Sequence, residues 1–161
     1  MNSSLYQHVF EQCIRHQNRP ETEKYMSRWD VCRNRVVNIN MGRCTGKTSA
    51  ILNTMMLNQD YDYFYLGCSM HMAADNYRKF KRDFEHYSVG YPKNLMVFTG
   101  NQQSQIRDAI KALRKIDSKR KLVIFVDEPM IHYARIYESI SSEIVQSRID
   151  DYVIIFVGEQ S

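Results

Sequence analysis

Gly42-Arg43-Cys44-Thr45-Gly46-Lys47-Thr48 is the densest concentration of chemistry in the chain. A loop that cradles polyphosphate turns backbone N–H groups inward around the β-phosphate, sets a lysine on the β- and γ-oxygens, and offers a hydroxyl to Mg²⁺. Gly46, Lys47 and Thr48 supply those parts; Gly42, Arg43, Cys44 and Thr45 would complete the cradle, and Ser49 follows where a helix should begin. The usual spacing sets the first glycine one residue earlier, where this chain has Met41. Arg43, inside the loop, could neutralise charge on a transferred γ-phosphate. Its plainer alternative is a surface arginine paired with a neighbouring acid.

The second concentration is Leu122-Val123-Ile124-Phe125-Val126-Asp127-Glu128, an apolar run ending in two acids. A nucleotide-hydrolysing site needs a carboxylate beside the Mg²⁺ and a base that orients and deprotonates water. Asp127 would join Thr48 on the metal and Glu128 would serve as the base; the alternative is that both acids cap the next turn. His8, His16, His71, His86 and His132 lack ligand spacing, and Cys13, Cys32, Cys44 and Cys68 contain no Cys-x-x-Cys pair, so neither a zinc site nor a disulfide framework is expected.

These residues must be positioned by strands and helices that the pattern already outlines. Leu5, Val9, Phe10, Cys13 and Ile14 recur at helical spacing over 3–17, and Pro20 opens a second helical pattern carrying Tyr25, Trp29 and Cys32. A β-branched run at 35–40 precedes the glycine-bearing loop, and a helix follows it: the opening of a phosphate-binding α/β unit. Further strands are expected at 61–68, 94–100, 121–129 and within 151–161, with helices over 71–87, 102–117 and 134–147. The 121–129 run is apolar without alternation, as in the centre of a parallel sheet covered on both faces. The expectation is one domain, 1–161, with a helical N-terminal cap at 1–33 and a nucleotide-binding core at 34–161.

Composition excludes more than it selects. The 161 residues are 43% hydrophobic and 25% charged, with six glycines and three prolines, too few for a collagen-like or low-complexity chain. The N-terminus lacks the charged start, apolar centre and cleavage site of a secretory signal, and no apolar run approaches the length of a membrane span. An unsecreted protein with no membrane partner is expected. The net charge of +4 permits contact with nucleic acid without demanding it.

With these motifs in place, the chain resembles the ATPase domain of viral large terminase subunits, the motors that pump DNA into preformed capsids. Their phosphate loops look like Arg-x-x-Gly-Lys-Ser/Thr after a strand that often begins with arginine, as Arg35 and then Arg43-Cys44-Thr45-Gly46-Lys47-Thr48 do here. The stretch Ser69-Met70-His71-Met72-Ala73-Ala74-Asp75-Asn76-Tyr77 is similar to that family's segment after the second strand, and Val126-Asp127-Glu128 to its acidic motif. Gln160 and Ser161 fall where it carries a coupling motif that senses the γ-phosphate, the alternative being a plain strand end. The resemblance covers roughly residues 33–161.

It implies a three-layer α/β P-loop NTPase of the RecA-like (ASCE) class, with a central, mostly parallel sheet and its last strand inserted between those of the phosphate loop and the acidic motif. It further implies Mg²⁺ and ATP, double-stranded DNA as track, a homo-oligomeric ring, and as partners a portal, a small terminase subunit and a separate nuclease subunit or domain, in the cytoplasm or nucleus of a host cell. Arg135 and Arg148 are candidates for an arginine supplied to a neighbouring subunit. In place of the family's adenine-reading glutamine, Tyr25 and Trp29 are the available stacking surfaces.

Basic residues at Arg78, Lys79, Lys81 and Arg82, and at Arg107, Lys111, Arg114, Lys115, Lys119, Arg120 and Lys121, could track phosphates or form solvated helix faces. Two other readings stay open: a nucleotide-binding adaptor or regulator without motor activity, and a small-molecule kinase. The adjacent Asp-Glu pair argues against the kinase, because it marks water-activating enzymes.

Overall fold

A computed structural model describes residues 3–17, 19–40, 46–68, 78, 82, 95–97, 103–114, 119–129 and 131–158. The N-terminal helical spacing forms α1 (Ser3–Arg15), whereas the second helical pattern divides into a 3-10 turn (Glu21–Tyr25) and α2 (Arg28–Asn34). The division falls before Ser27, whose backbone is extended and whose hydroxyl accepts from the Asp30 N–H, so a new helix starts there. Then come β1 (Val36–Ile39), α3 (Lys47–Leu57), β2 (Asp62–Gly67), β3 (Leu95–Val97), α4 (Gln103–Arg114), β4 (Leu122–Asp127), α5 (Tyr133–Gln146) and β5 (Tyr152–Val157). The helix expected over 71–87 lies outside the described residues except at Arg78 and Arg82, both helical and exposed.

Among the described residues the five strands form one sheet in the order β1-β5-β4-β2-β3, every pairing parallel. The last strand therefore lies between β1 and β4, the insertion that the resemblance implied. Helices cover both faces. Val123 and Phe125 of β4 point, with Tyr63 and Tyr65 of β2 and Val153, Ile155 and Val157 of β5, into an apolar layer shared with Tyr6, Phe10 and Ile14 of α1 and Ala50, Ile51, Leu52 and Met55 of α3. Leu122, Ile124 and Val126 point the other way, against Cys32 of α2, Ile106 and Ile110 of α4 and Ile136, Ile140 and Ile144 of α5. The segment expected as a cap thus contributes α1 to the core itself, where Phe10 meets Phe125 edge-on at 5.3 Å. Every residue of β4 and β5 is buried, as strands covered on both faces must be. Among the described residues no helix is long and apolar enough to cross a membrane.

Arg35, the residue before β1, closes the edge where the strands begin. It is 5% exposed and grips Glu23 with both ends of its fork, Nε to Oε1 at 2.9 Å and Nη2 to Oε2 at 2.8 Å. Nη1 donates to the Asp150 carbonyl at 2.9 Å, and the guanidinium lies 5.1 Å from the Tyr152 ring centre. The residue just ahead of β1 therefore ties the 3-10 turn to the start of β5. Hydrogen bonds from Arg35 hold the Glu23 carboxyl below its ordinary value of 4.5, with burial opposing them.

At the same edge Arg148 adopts φ 53° just past α5, with its N–H directed to the Val145 carbonyl and the Ile149 N–H donating to Ile144. This is the left-handed closure that glycine usually supplies.

Three outcomes follow for stability. Arg35→Ala should lower it by about 3 kcal/mol in chemical denaturation, because Glu23 is left without its fork, and Arg35→Lys should recover less than half of that. The Glu23 contribution should be fully present above about pH 4.5 and be lost as the pH falls through the lowered folded value, a decline that Glu23→Gln removes. Arg148→Gly should raise the midpoint of thermal unfolding, by the equivalent of about 1 kcal/mol, since glycine adopts this φ without strain.

Candidate active site

In a parallel sheet all carboxyl ends lie along one edge, and the helix after each strand starts there. Lys47 is the first residue of α3, after Gly46 at φ 77°, the left-handed conformation that lets the loop turn into the helix. Asp127 ends β4, and Glu128 follows it beside the end of β5. Sequence positions some eighty residues apart meet here: Thr48 Oγ1 donates to Asp127 Oδ2 at 2.7 Å, and Lys47 Nζ lies 2.6 Å from Glu128 Oε1.

Asp127 is 2% exposed. Burial pushes its carboxyl above the ordinary range, while hydrogen bonds from Thr48 and from the Tyr65 hydroxyl act against that and the neighbouring Glu128 charge adds to it. Its Oδ1 is buried and, among the described residues, has no hydrogen-bond partner. An orphaned carboxylate oxygen beside a threonine hydroxyl is a hard-oxygen donor set that suits Mg²⁺, which keeps most of its ligands as water or phosphate. Among the described residues, no group of three or more His, Cys, Asp or Glu that could hold a metal occurs.

Glu128 is held in an unusual way. Its φ is 53°, costly for a side chain with a Cβ, and its N–H donates to the Val157 carbonyl at 2.8 Å. The carboxylate lies over Gly158, itself at φ 106°: a Cβ there would stand 2.5 Å from both Cδ and Oε2 of Glu128. The glycine is the seat of the acid. Gly158 N–H in turn donates to Ile39 at 2.8 Å, which fastens that seat to the end of β1. Two features at this edge escaped the sequence reading. Neither Gly158 nor Tyr65 stands out by residue type or spacing; finding either role requires the strand register. Cys68, at the end of β2, also lies in the field of both acids, and burial with that field pushes its thiol up. Cys13, Cys32 and Cys68 are free thiols.

The remaining expected site residues divide by location. Ser49 is half-buried in the first turn of α3. Gly42, Arg43, Cys44, Thr45, Gln160 and Ser161 lie outside the described residues. Arg135 is exposed near the start of α5, on the same edge as Asp127, whereas Arg148 is exposed at the opposite edge. Tyr25 and Trp29, the expected stacking surfaces, lie toward the opposite edge of the sheet from Lys47 and Asp127. They are 82% and 47% exposed, and they belong to elements that Arg28 and Arg35 fasten to Asp150, just ahead of β5. The six residues of β5 separate that edge from Glu128, about 20 Å at the rise of a strand.

Of the basic residues, Arg107, Lys111, Lys119 and Arg120 are exposed, but Arg120 donates to the Gln59 carbonyl and Lys121 to that of Ile14. Arg114 has no described side chain, and Lys79, Lys81 and Lys115 lie outside the described residues.

No protein-family model matches the chain, and neither a curated protein nor a solved structure does.

Gly158→Ala should displace the Glu128 carboxylate more than it unfolds the chain, because the colliding atoms are the free end of a side chain. The expected result is a loss of about 1–2 kcal/mol in stability from the positive φ, together with loss of the Lys47–Glu128 pair in a crystal structure of the variant. An unmoved Glu128 would contradict the seat.

Proposed function

We propose that the chain is a Mg²⁺-dependent ATPase of the P-loop, RecA-like kind. The single observation that carries the reading is the convergence of Lys47, Thr48, Asp127 and Glu128 at the carboxyl edge of a parallel sheet whose last strand is inserted between β1 and β4. Lys47 binds the β- and γ-phosphates, exchanging its Glu128 partner for phosphate oxygens. Thr48 and Asp127 hold Mg²⁺, which when bound neutralises charge on the phosphates. Glu128, released from Lys47, orients the attacking water and takes its proton. Arg43 stabilises charge on the transferred phosphoryl group.

The finer reading is a motor domain that couples hydrolysis to translocation of double-stranded DNA during viral genome packaging, in a homo-oligomeric ring. It draws its support from the terminase resemblance and from the exposed cations Arg107, Lys111, Lys119 and Arg120. Arg135, exposed at the site's own edge, is the better placed of the two candidates for completing a neighbour's site.

The test is phosphate release by the purified chain with and without long double-stranded DNA. The expected outcome is turnover that DNA stimulates, that falls about 10²–10⁴-fold in Glu128→Gln while nucleotide binding survives, and that disappears with nucleotide binding in Lys47→Ala. Turnover indifferent to DNA would remove the motor and leave the ATPase. Tight nucleotide binding with no turnover would favour the adaptor reading, and phosphate appearing on an added acceptor instead of in solution would indicate a kinase.

A further inference from the structure

Tyr63 and Tyr65 lie on the same face of β2, buried in the layer shared with α1 and α3, yet their hydroxyls are directed differently. Tyr63 donates to a backbone carbonyl, that of Asn58, at 2.5 Å, the ordinary way to satisfy a buried phenol. Tyr65 instead donates to Asp127 Oδ2 at 2.7 Å. In the register of the sheet Tyr65 stands opposite Phe125, and Gly67 stands opposite Asp127. The phenol therefore reaches diagonally along the sheet toward the carboxylate, beside a position where the neighbouring strand has no side chain.

Two donors thus converge on one oxygen. Thr48 Oγ1 and Tyr65 Oη both bond Oδ2 at 2.7 Å, while Oδ1, on the same buried carboxylate, has no partner among the described residues. A buried carboxylate normally spreads its hydrogen bonds over both oxygens, because each unpaired lone pair costs free energy. Loading one oxygen doubly and leaving the other bare fixes the rotation of the carboxylate and keeps one oxygen available to a cation.

We propose that Tyr65 is a positioning residue of the nucleotide site, holding the Asp127 carboxylate by Oδ2 so that Oδ1 is presented to the divalent ion that accompanies the bound nucleotide. The inference rests on the reading of Asp127 as a metal-binding residue. Groups that orient a metal ligand without touching the metal commonly change its affinity by 10–100-fold when removed. Thr48 is expected to leave Oδ2 when it engages the ion, and Tyr65 then becomes the donor that keeps the carboxylate from rotating.

The experiment measures Mn²⁺ binding by electron paramagnetic resonance in the presence of ADP, for the whole chain and for Tyr65→Phe and Asp127→Asn, alongside thermal unfolding and metal-free ADP binding. Tyr65→Phe keeps the ring and loses only the hydroxyl. The expected result is Mn²⁺ affinity at least tenfold weaker in Tyr65→Phe, with metal-free ADP affinity unchanged, the unfolding midpoint close to that of the parent, and turnover recovered at high Mg²⁺. Incorporation of 3-fluorotyrosine at position 65, which keeps the hydroxyl, should leave Mn²⁺ binding as in the parent.

If Asp127→Asn weakens Mn²⁺ binding and Tyr65→Phe does not, Tyr65 only packs and the proposal is overturned while the site reading stands. If Asp127→Asn binds Mn²⁺ like the parent, the metal role of Asp127 fails and the proposal falls with it. Equal loss of metal-free and metal-dependent ADP binding in Tyr65→Phe would also overturn it, as that is the mark of a general disturbance of the fold.

Discussion

A parallel sheet covered by helices on both faces leaves polar chemistry almost nowhere to go. Every residue of β4 and β5 is buried, and the side chains above and below are apolar, so a charge in the middle of either strand would have no partner. Only the strand ends escape, because there the loops part and helix N-termini arrive. Asp127 occupies that boundary: the last residue of its strand, still buried, yet within reach of a hydroxyl from α3 and another from β2. The rest of the site is arranged around the cost of keeping it there.

The two edges of the sheet solve the same problem differently. At the starting edge, Arg35 meets a carboxylate with a matched fork and meets carbonyls with its remaining N–H groups. That cluster is nearly saturated, and its groups bond one another. At the finishing edge the groups are less settled: Asp127 keeps a bare oxygen, Glu128 carries positive φ, and Lys47 lies against Glu128. Satisfied polar clusters stabilise a fold, whereas unsatisfied or strained ones at a strand end mark a place that can take up a ligand.

The fold was largely readable from the chain because its signals are local. The unbroken apolar run at 122–127 announces a central strand, and the β-branched run before Gly46-Lys47-Thr48 announces the strand–loop–helix unit. The facing of Lys47 and Thr48 toward the acids at 127 and 128 followed from motif chemistry. Tyr65 and Gly158 did not, since their roles depend on which residues of adjacent strands stand opposite each other, and register leaves no trace in the spacing of a single chain. The placement of Tyr25 and Trp29 is illegible in the sequence for a related reason. They are close to β1 in sequence, but α2 leads into the start of β1, whereas Lys47 and Thr48 follow beyond its end.

The insertion of β5 between β1 and β4 also bears on how the chain reaches its folded state. Val36 pairs with Ile154, so β1 and β5 are neighbours in the sheet although most of the described chain separates them in sequence. Local helices can form early, but β5, which bridges the two halves of the site, is synthesised after the other four strands described. Until it arrives, β1 and β4 each present an unpaired edge and an uncovered apolar face. A chain of this topology should assemble slowly relative to its size, and its half-made sheet is the species most exposed to aggregation or to capture by a chaperone.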